Sequence, residues 1–251
     1  IAYSPYTAAA TVTDNGIEFA NYTVGPDANV DLLFSEVARN KTKDNVNTSN
    51  FPVSYQGIEL TFKHALSSVR FAVKTAANYL GTEIKVQNIE VLNAYSKGNF
   101  NQGLEDNATA VTADDNPCWS AHTVERAYTA FTGDITVGEN PLYVHNSSAA
   151  ATANTTDLIL LPQALDHTAT TNKVKVKVNY TIESPSGNVL SQETILDLTG
   201  EWFRGTRYTY TIVFGLDEIM TAPINGSGCN EKYGLLGSNK STEDTIKLFP
   251  R

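Results

Sequence analysis

Apolar and polar positions alternate along most of this chain, and the period is two far more often than it is helical. Ile17 to Val24 ("IEFANYTV"), Ile84 to Leu92 ("IKVQNIEVL"), Lys173 to Ile182 ("KVKVKVNYTI"), Val189 to Leu198 and Thr206 to Phe214 each read as strands. Val174, Val176, Val178 and Tyr180 share one face, and a slip of one residue would turn the lysines between them inward. Tyr208, Tyr210 and Ile212 share a face in the same way, so these seven side chains are expected to build core. Leu158 to Leu161 is a short unbroken apolar run, the pattern of a strand buried on both faces. Asp31 to Val37 allows a strand or one helical turn, and the best helix signals are Ser35 to Arg39 and Ala65 to Ser68. The chain reads as all-β, with strands at sandwich spacing.

"LTFKHALSSVRFAVK", residues Leu60 to Lys74, breaks the pattern in an instructive way. Leu60 and Phe62 fall on one face of a strand, and Val69, Phe71 and Val73 fall on one face of another. Between them His64 to Ser68 has no alternation, and it lacks the Gly, Asn and Asp residues that mark turns elsewhere, such as Asp14-Asn15-Gly16. A second informative stretch is "EWFRGTRYTYTIVFG", Glu201 to Gly215. There Trp202, Gly205, Tyr208 and Tyr210 describe a turn feeding a strand with an aromatic face. Core packing is the reading this alternation favours; an aromatic platform for carbohydrate is the alternative.

Composition narrows the function. The chain has 251 residues, of which 41% are hydrophobic and only 18% charged, with a net charge of -9. The acidic balance argues against nucleic acid and anionic membrane as partners. Cys118 and Cys229 are compatible with one long-range disulfide or with two unrelated small residues. No apolar run is long enough for a membrane helix, and no leader pattern opens the chain. Asn-x-Ser/Thr triplets recur, as expected by chance in an Asn- and Thr-rich sequence.

Motifs for chemistry are missing. His64, His122, His145 and His167 are scattered without ligand spacing, and carboxylates come singly. Asp114-Asp115-Asn116 lacks the alternation of a calcium loop, and Gly226-Ser-Gly228 has no strand before it or helix after it to make a phosphate cradle. No catalytic residue, metal site or cofactor is therefore expected, and the protein reads as non-enzymatic.

"AYSPY" (Ala2 to Tyr6), "DLLFS" (Asp31 to Ser35), "LTFKHALSSVRFAV" (Leu60 to Val73), "NIEVLNAYSKGNF" (Asn88 to Phe100), "LLPQAL" (Leu160 to Leu165) and "WFRGTRYTYTI" (Trp202 to Ile212) occur in that order. Together they resemble the Bacteroidales fimbrillin family of fimbrial subunits and fimbrillin-like surface lipoproteins. The resemblance implies two transthyretin-like β-sandwiches, here expected at residues 1–80 and 81–215, followed by an extension at 216–251. It implies strands upstream of "AYSPY", so that the first sandwich would be incomplete within this sequence. Within it, His64, Ala65 and Leu66 look like a tight link between the last two strands of the first sandwich, a structural role shared with Trp202, Gly205, Tyr208 and Tyr210.

By that resemblance the chain is expected to be a structural or accessory fimbrial (pilus) subunit, displayed at the cell surface on a fimbrium or the outer membrane. It would assemble with its own or related subunits by donor-strand exchange, and a lipid anchor on a precursor would be its membrane link. Host or bacterial surface ligands are further partners that this implies. Ile246, Leu248 and Phe249 are the apolar anchors of a candidate donor strand, although the extension could equally fold back onto its own edge strand. A monomeric adhesin or glycan-binding protein on the same fold is the alternative function.

Overall fold

The structure, a computed structural model, describes residues 1–7, 9–40, 60–78, 81–107, 117–144, 157–166, 173–215, 231–232 and 243–248; for 105–107 and everything after 215 it describes backbone alone. The described strands, in chain order, are β1 (Tyr3–Ser4), β2 (Ala10–Thr13), β3 (Gly16–Thr23), β4 (Leu33–Ser35), β5 (Phe62–His64) and β6 (Ser67–Thr75). The long pair β7 (Glu83–Asn101) and β8 (Trp119–Thr136) follows, then β9 (Leu142–Val144), β10 (Leu158–Leu160) and β11 (Gln163–Ala164). The remainder are β12 (Lys175–Glu183), β13 (Val189–Asp197), β14 (Glu201–Trp202), β15 (Thr206–Phe214), β16 (Glu231–Lys232) and β17 (Glu243–Leu248). A 3-10 turn at Gln102–Asn107 ends β7. Neither expected helix signal yields a helix: Ser35 closes β4, and Ser67 and Ser68 open β6. The all-β reading holds.

One sheet is organised around β7. At 19 residues β7 is more than three times the usual strand length, and this lets it serve two sets of neighbours. Its first half pairs with β12, which pairs with β13; its second half pairs with β3, which pairs with β2. β8 lines its other edge from Lys85 to Phe100. A second sheet has two parallel central strands, β6 and β15, in register from Arg207↔Ser68 to Phe214↔Thr75. β9 and β10 cover the outer edge of β6, while β16 and β17 cover that of β15. Smaller sheets join β1, β4 and β5, and β11 with β14. The pairing of β6 with β15 joins residues on opposite sides of position 80.

The two large sheets face each other across an apolar layer. Tyr180 of β12 meets Phe214 of β15 edge to face, with centroids 5.1 Å apart, and a contiguous buried cluster runs from Ile17 to Phe214. Val174, Val176, Val178 and Ile212 are fully buried, Tyr180 and Tyr210 are 2% exposed and Tyr208 is 8% exposed. The interleaved Lys173, Lys175 and Lys177 keep 42%, 35% and 26% of their side chains in solvent. Burying a valine instead of a lysine decides this register, since an unpaired buried ammonium costs several kcal/mol. Lys177 pairs with Glu90 on the outer face, and that carboxylate holds its pKa above the ordinary lysine value.

Local chemistry pins the sheet margins. Gln102 is buried where β7 ends; its Oε1 accepts from Ile17 N at 3.1 Å and its Nε2 donates to Ser35 O at 2.8 Å. A Cβ on Gly16, which adopts φ +136°, would lie 2.7 Å from the Gln102 side chain, so this turn position needs glycine. Gln163 does similar work near the middle of β7, accepting from Tyr95 N at 2.8 Å and donating to Leu161 O at 3.0 Å.

The β7–β8 ribbon bends at register shifts between Val91 and Ala94 and between Lys97 and Asn99. The bend forces left-handed backbone on Asn93 (φ +62°), Ala121 (φ +51°) and Val124 (φ +60°). A β-branched residue fits that region worst. Val124 is nonetheless exposed, and its carbonyl accepts from the buried Ser96 hydroxyl at 2.7 Å. Replacing Val124 with Asn, which tolerates this conformation, is therefore expected to raise stability by about 1 kcal/mol. Denaturant unfolding checks this: the midpoint should move up with the slope unchanged.

Candidate functional site

The link between β5 and β6 consists of Ala65 and Leu66 alone. β5 belongs to the small sheet with β4, whereas β6 is central in the parallel sheet, so the link carries the chain from one sheet to another. The link is two residues long, and it crosses between sheets rather than turning within one. Ala65 and Leu66 are 0% and 2% exposed, and a buried link must find partners for its backbone polar groups. Ala65 N donates to Leu32 O at 2.8 Å, and Ala65 O accepts from the Trp119 indole at 2.7 Å. Leu66 O accepts from Gly205 N at 2.8 Å. Gly205 adopts φ +64°, which a side chain there would strain.

The 202–210 corner docks onto this link. Ser67 Oγ donates to Phe203 O at 2.8 Å. Tyr208 Oη accepts from Phe203 N, and Tyr210 Oη accepts from the Trp202 indole, both at 2.9 Å. Phe71 stacks on Tyr210 at 5.7 Å. Trp202, Tyr208 and Tyr210 are all buried, so they build core and offer no face to a sugar. Period-two alternation marked them as core; nothing in it announced that their hydroxyl and indole groups close the corner. Trp119, the residue that binds the link from β8, gave no periodic signal at all.

His64 ends β5 with Nδ1 against Asp31 Oδ2. The other oxygen, Asp31 Oδ1, is buried without a hydrogen-bond partner among the described residues. Its charge adds to the effect of burial on nearby Tyr22, whose pKa rises to about 12. Burial alone lifts Tyr128 to about 12 as well. Among the described residues no three or more His, Cys, Asp or Glu side chains converge as a metal site would need. His122 Nε2 bonds Pro162 O at 2.8 Å, and Cys118 is buried. His145, His167, Cys229, Asp114 to Asn116 and Gly226 to Gly228 lie outside the described residues.

A cleft of about 620 Å³ opens between β8 and the loop before β4, lined by Asp27, Asn29, Thr129, Thr132, Asp157 and Leu158 among others. Asp157 is already engaged, accepting from the Ser68 hydroxyl and, at 2.7 Å, from Arg207 Nε. Among the described residues no aromatic ring lines the cleft.

The candidate donor residues fall at the opposite edge. β17 adds to β15 in parallel, with Ile246 opposite Ile212 and Leu248 opposite Phe214. Phe249 lies outside the described residues. No helix of the described residues is long and apolar enough to cross a membrane.

A family model described as fimbrillin-like matches residues 1–225. No curated protein matches the chain. Among solved structures, a fimbrial protein from Bacteroides vulgatus is similar with a TM-score of 0.50 at 20% identity, covering 84% of this chain and 71% of that one. Putative cell adhesion proteins from Bacteroides uniformis and Bacteroides ovatus align at 16% and 15% identity with TM-scores of 0.36 and 0.37. This chain spans 65% and 60% of their lengths, and 84% of it is covered in each case.

Trp119→Phe removes the indole N–H, leaving the Ala65 carbonyl unbonded and a small void in the core, and should cost roughly 2–4 kcal/mol by chemical denaturation. Tyr210→Phe, which orphans the Trp202 indole, should cost roughly 1–3 kcal/mol. The two raised phenols give a pH signature. Their native pKa of about 12 exceeds the ordinary 10.0, so the stability they contribute is complete below pH 10 and is lost as pH climbs toward 12. Ultraviolet titration of the protein beside its Tyr22→Phe and Tyr128→Phe variants should show these two phenolates appearing late in native protein and early in denaturant.

Proposed function

The chain belongs to the fimbrillin-like family, and from that premise we propose that it is a structural or accessory subunit of a bacterial fimbria. In this reading it is non-enzymatic, stands at the cell surface, and associates with its own or related subunits through donor-strand exchange. The observation that carries the reading is the placement of β17, which joins β15 at a sheet margin over six residues, Glu243 to Leu248. Main-chain pairing of that kind is available to the same segment of another copy, because the bonds are identical whichever molecule supplies the strand. Ile246 and Leu248 share a face in an extended strand and supply side-chain anchors for register. The alternative of a glycan-binding protein loses its aromatic platform, since Trp202, Tyr208 and Tyr210 are interior.

Deleting residues 243–251 tests the assignment. Loss of high-order ladders on unboiled gels, with an unchanged melting temperature of the monomer, is the expected outcome. A large fall in melting temperature, with ladders still forming, would make the tail an ordinary part of its own sheet and overturn strand exchange.

A further inference from the structure

β13 forms the outer margin of the β7-centred sheet, paired with β12 along all nine residues and, among the described residues, with nothing on its other side. Soluble proteins protect such margins with lysines, prolines, bulges or unpaired charges that repel an incoming strand. β13, "VLSQETILD", has no lysine and no proline, and its register with β12 is unbroken. Its acidic groups are tied back into their own sheet. Glu193 Oε2 accepts from Asn179 Nδ2 at 3.0 Å, and the Asp197 carboxylate lies 3.8 Å from Lys175 Nζ and 4.0 Å from Lys173 Nζ. Meanwhile Val189, Leu190 and Ile195 are 60%, 51% and 49% exposed. The edge therefore offers main-chain groups that no described strand pairs, together with apolar side chains, while its two carboxylates are drawn toward partners in their own sheet.

We infer that β13 pairs antiparallel with β13 of a second copy, joining the two β7-centred sheets across a two-fold axis at Gln192. The strand's own sequence argues for this occupant. A two-fold axis perpendicular to a sheet preserves its faces, so directly opposed residues must share parity, and only a few registers are possible. Centred on Gln192, Val189 lies opposite the second copy's Ile195 on the outer face, Leu190 opposite its Thr194, and Ser191 opposite its Glu193. Both exposed outer-face apolar residues thus gain apolar partners, and no like charges meet. Centred one residue later, Glu193 opposes Glu193 of the second copy; centred one earlier, Val189 opposes Glu193. The charge pattern thereby selects one register. This contact is separate from the β15–β17 margin and does not depend on strand exchange there.

Sedimentation of the full chain across a concentration series tests the contact. A dimer is expected, and because each copy carries a charge of -9 it should tighten with added salt. Ile195→Lys changes a half-exposed residue and places a lysine opposite Val189, so it should weaken the dimer at least tenfold without altering the far-ultraviolet spectrum. Gln192→Cys should give a disulfide-linked dimer on oxidation with diamide, whereas Ser191→Cys and Glu193→Cys, each tested alone, should not. A full chain that stays monomeric overturns the inference. So does a dimerisation constant that Ile195→Lys leaves unchanged, and so does equal crosslinking by all three cysteines.

Discussion

A chain that crosses from one sheet to another inside a protein core has to satisfy its backbone there, and in this fold that requirement falls on Ala65 and Leu66. Water cannot reach the link, so Leu32, Trp119 and Gly205 supply its partners. An unmet N–H or carbonyl would cost roughly 1–3 kcal/mol at each place, a substantial part of what a domain has to spare. Those three partners come from the segment before β4, from β8 and from the corner before β15. The link is thus where distant parts of the chain are made to agree. Gly and Pro would be the wrong residues for it: one adds conformational freedom and the other removes the donor that Leu32 receives.

Once the link is fixed, β6 becomes an inner strand, and its environment explains its sequence. Flanked by β15 on one side and by β9 and β10 on the other, β6 is buried on both faces apart from Arg70 and Lys74. Parallel central strands usually read as nearly continuous apolar runs; β6 departs from this, burying Ser67, Ser68 and Thr75 beside Val69, Phe71, Ala72 and Val73. Arg70 remains tolerable because its Nε donates to Thr209 Oγ1 at 2.8 Å and its guanidinium lies 4.5 Å from the Tyr143 ring centroid.

Which parts were legible in the sequence follows from the same physics. β12 was readable because one face is core and the other is wet, which keeps parity nearly clean over nine residues; β15 is buried on both faces apart from Arg207 and was readable from its alternating tyrosines and threonines. β8 was invisible although it spans 18 residues. It has a polar face, and its bulges shift parity, so no window holds a steady alternation. The helical look of Ala65 to Ser68 was an absence of strand pattern, produced by a two-residue crossing followed by the two buried serines that open β6. Periodicity also names no partners: nothing in "VRFAV" indicates that it lies parallel to "YTYTI", more than 130 residues later. Gln102 and Gln163 escaped notice because a buried amide looks like any surface glutamine until the carbonyls around it are known.

The two large sheets leave their margins in different conditions, and that difference bears on association. The margin of β15 is occupied by β17, so a second copy can reach it only by replacing one strand with another, an exchange in which bonds broken match bonds made. The net driving force there must come from side-chain fit, and the barrier from unpairing six residues. The margin of β13 needs no such replacement, since among the described residues no strand pairs with its outer side. Pairing there exchanges water for peptide partners, worth little per bond, and it rests on the apolar residues Val189, Leu190 and Ile195. Exchange at β15 is therefore suited to slow, durable linkage, and pairing at β13 to contacts that form and break with concentration.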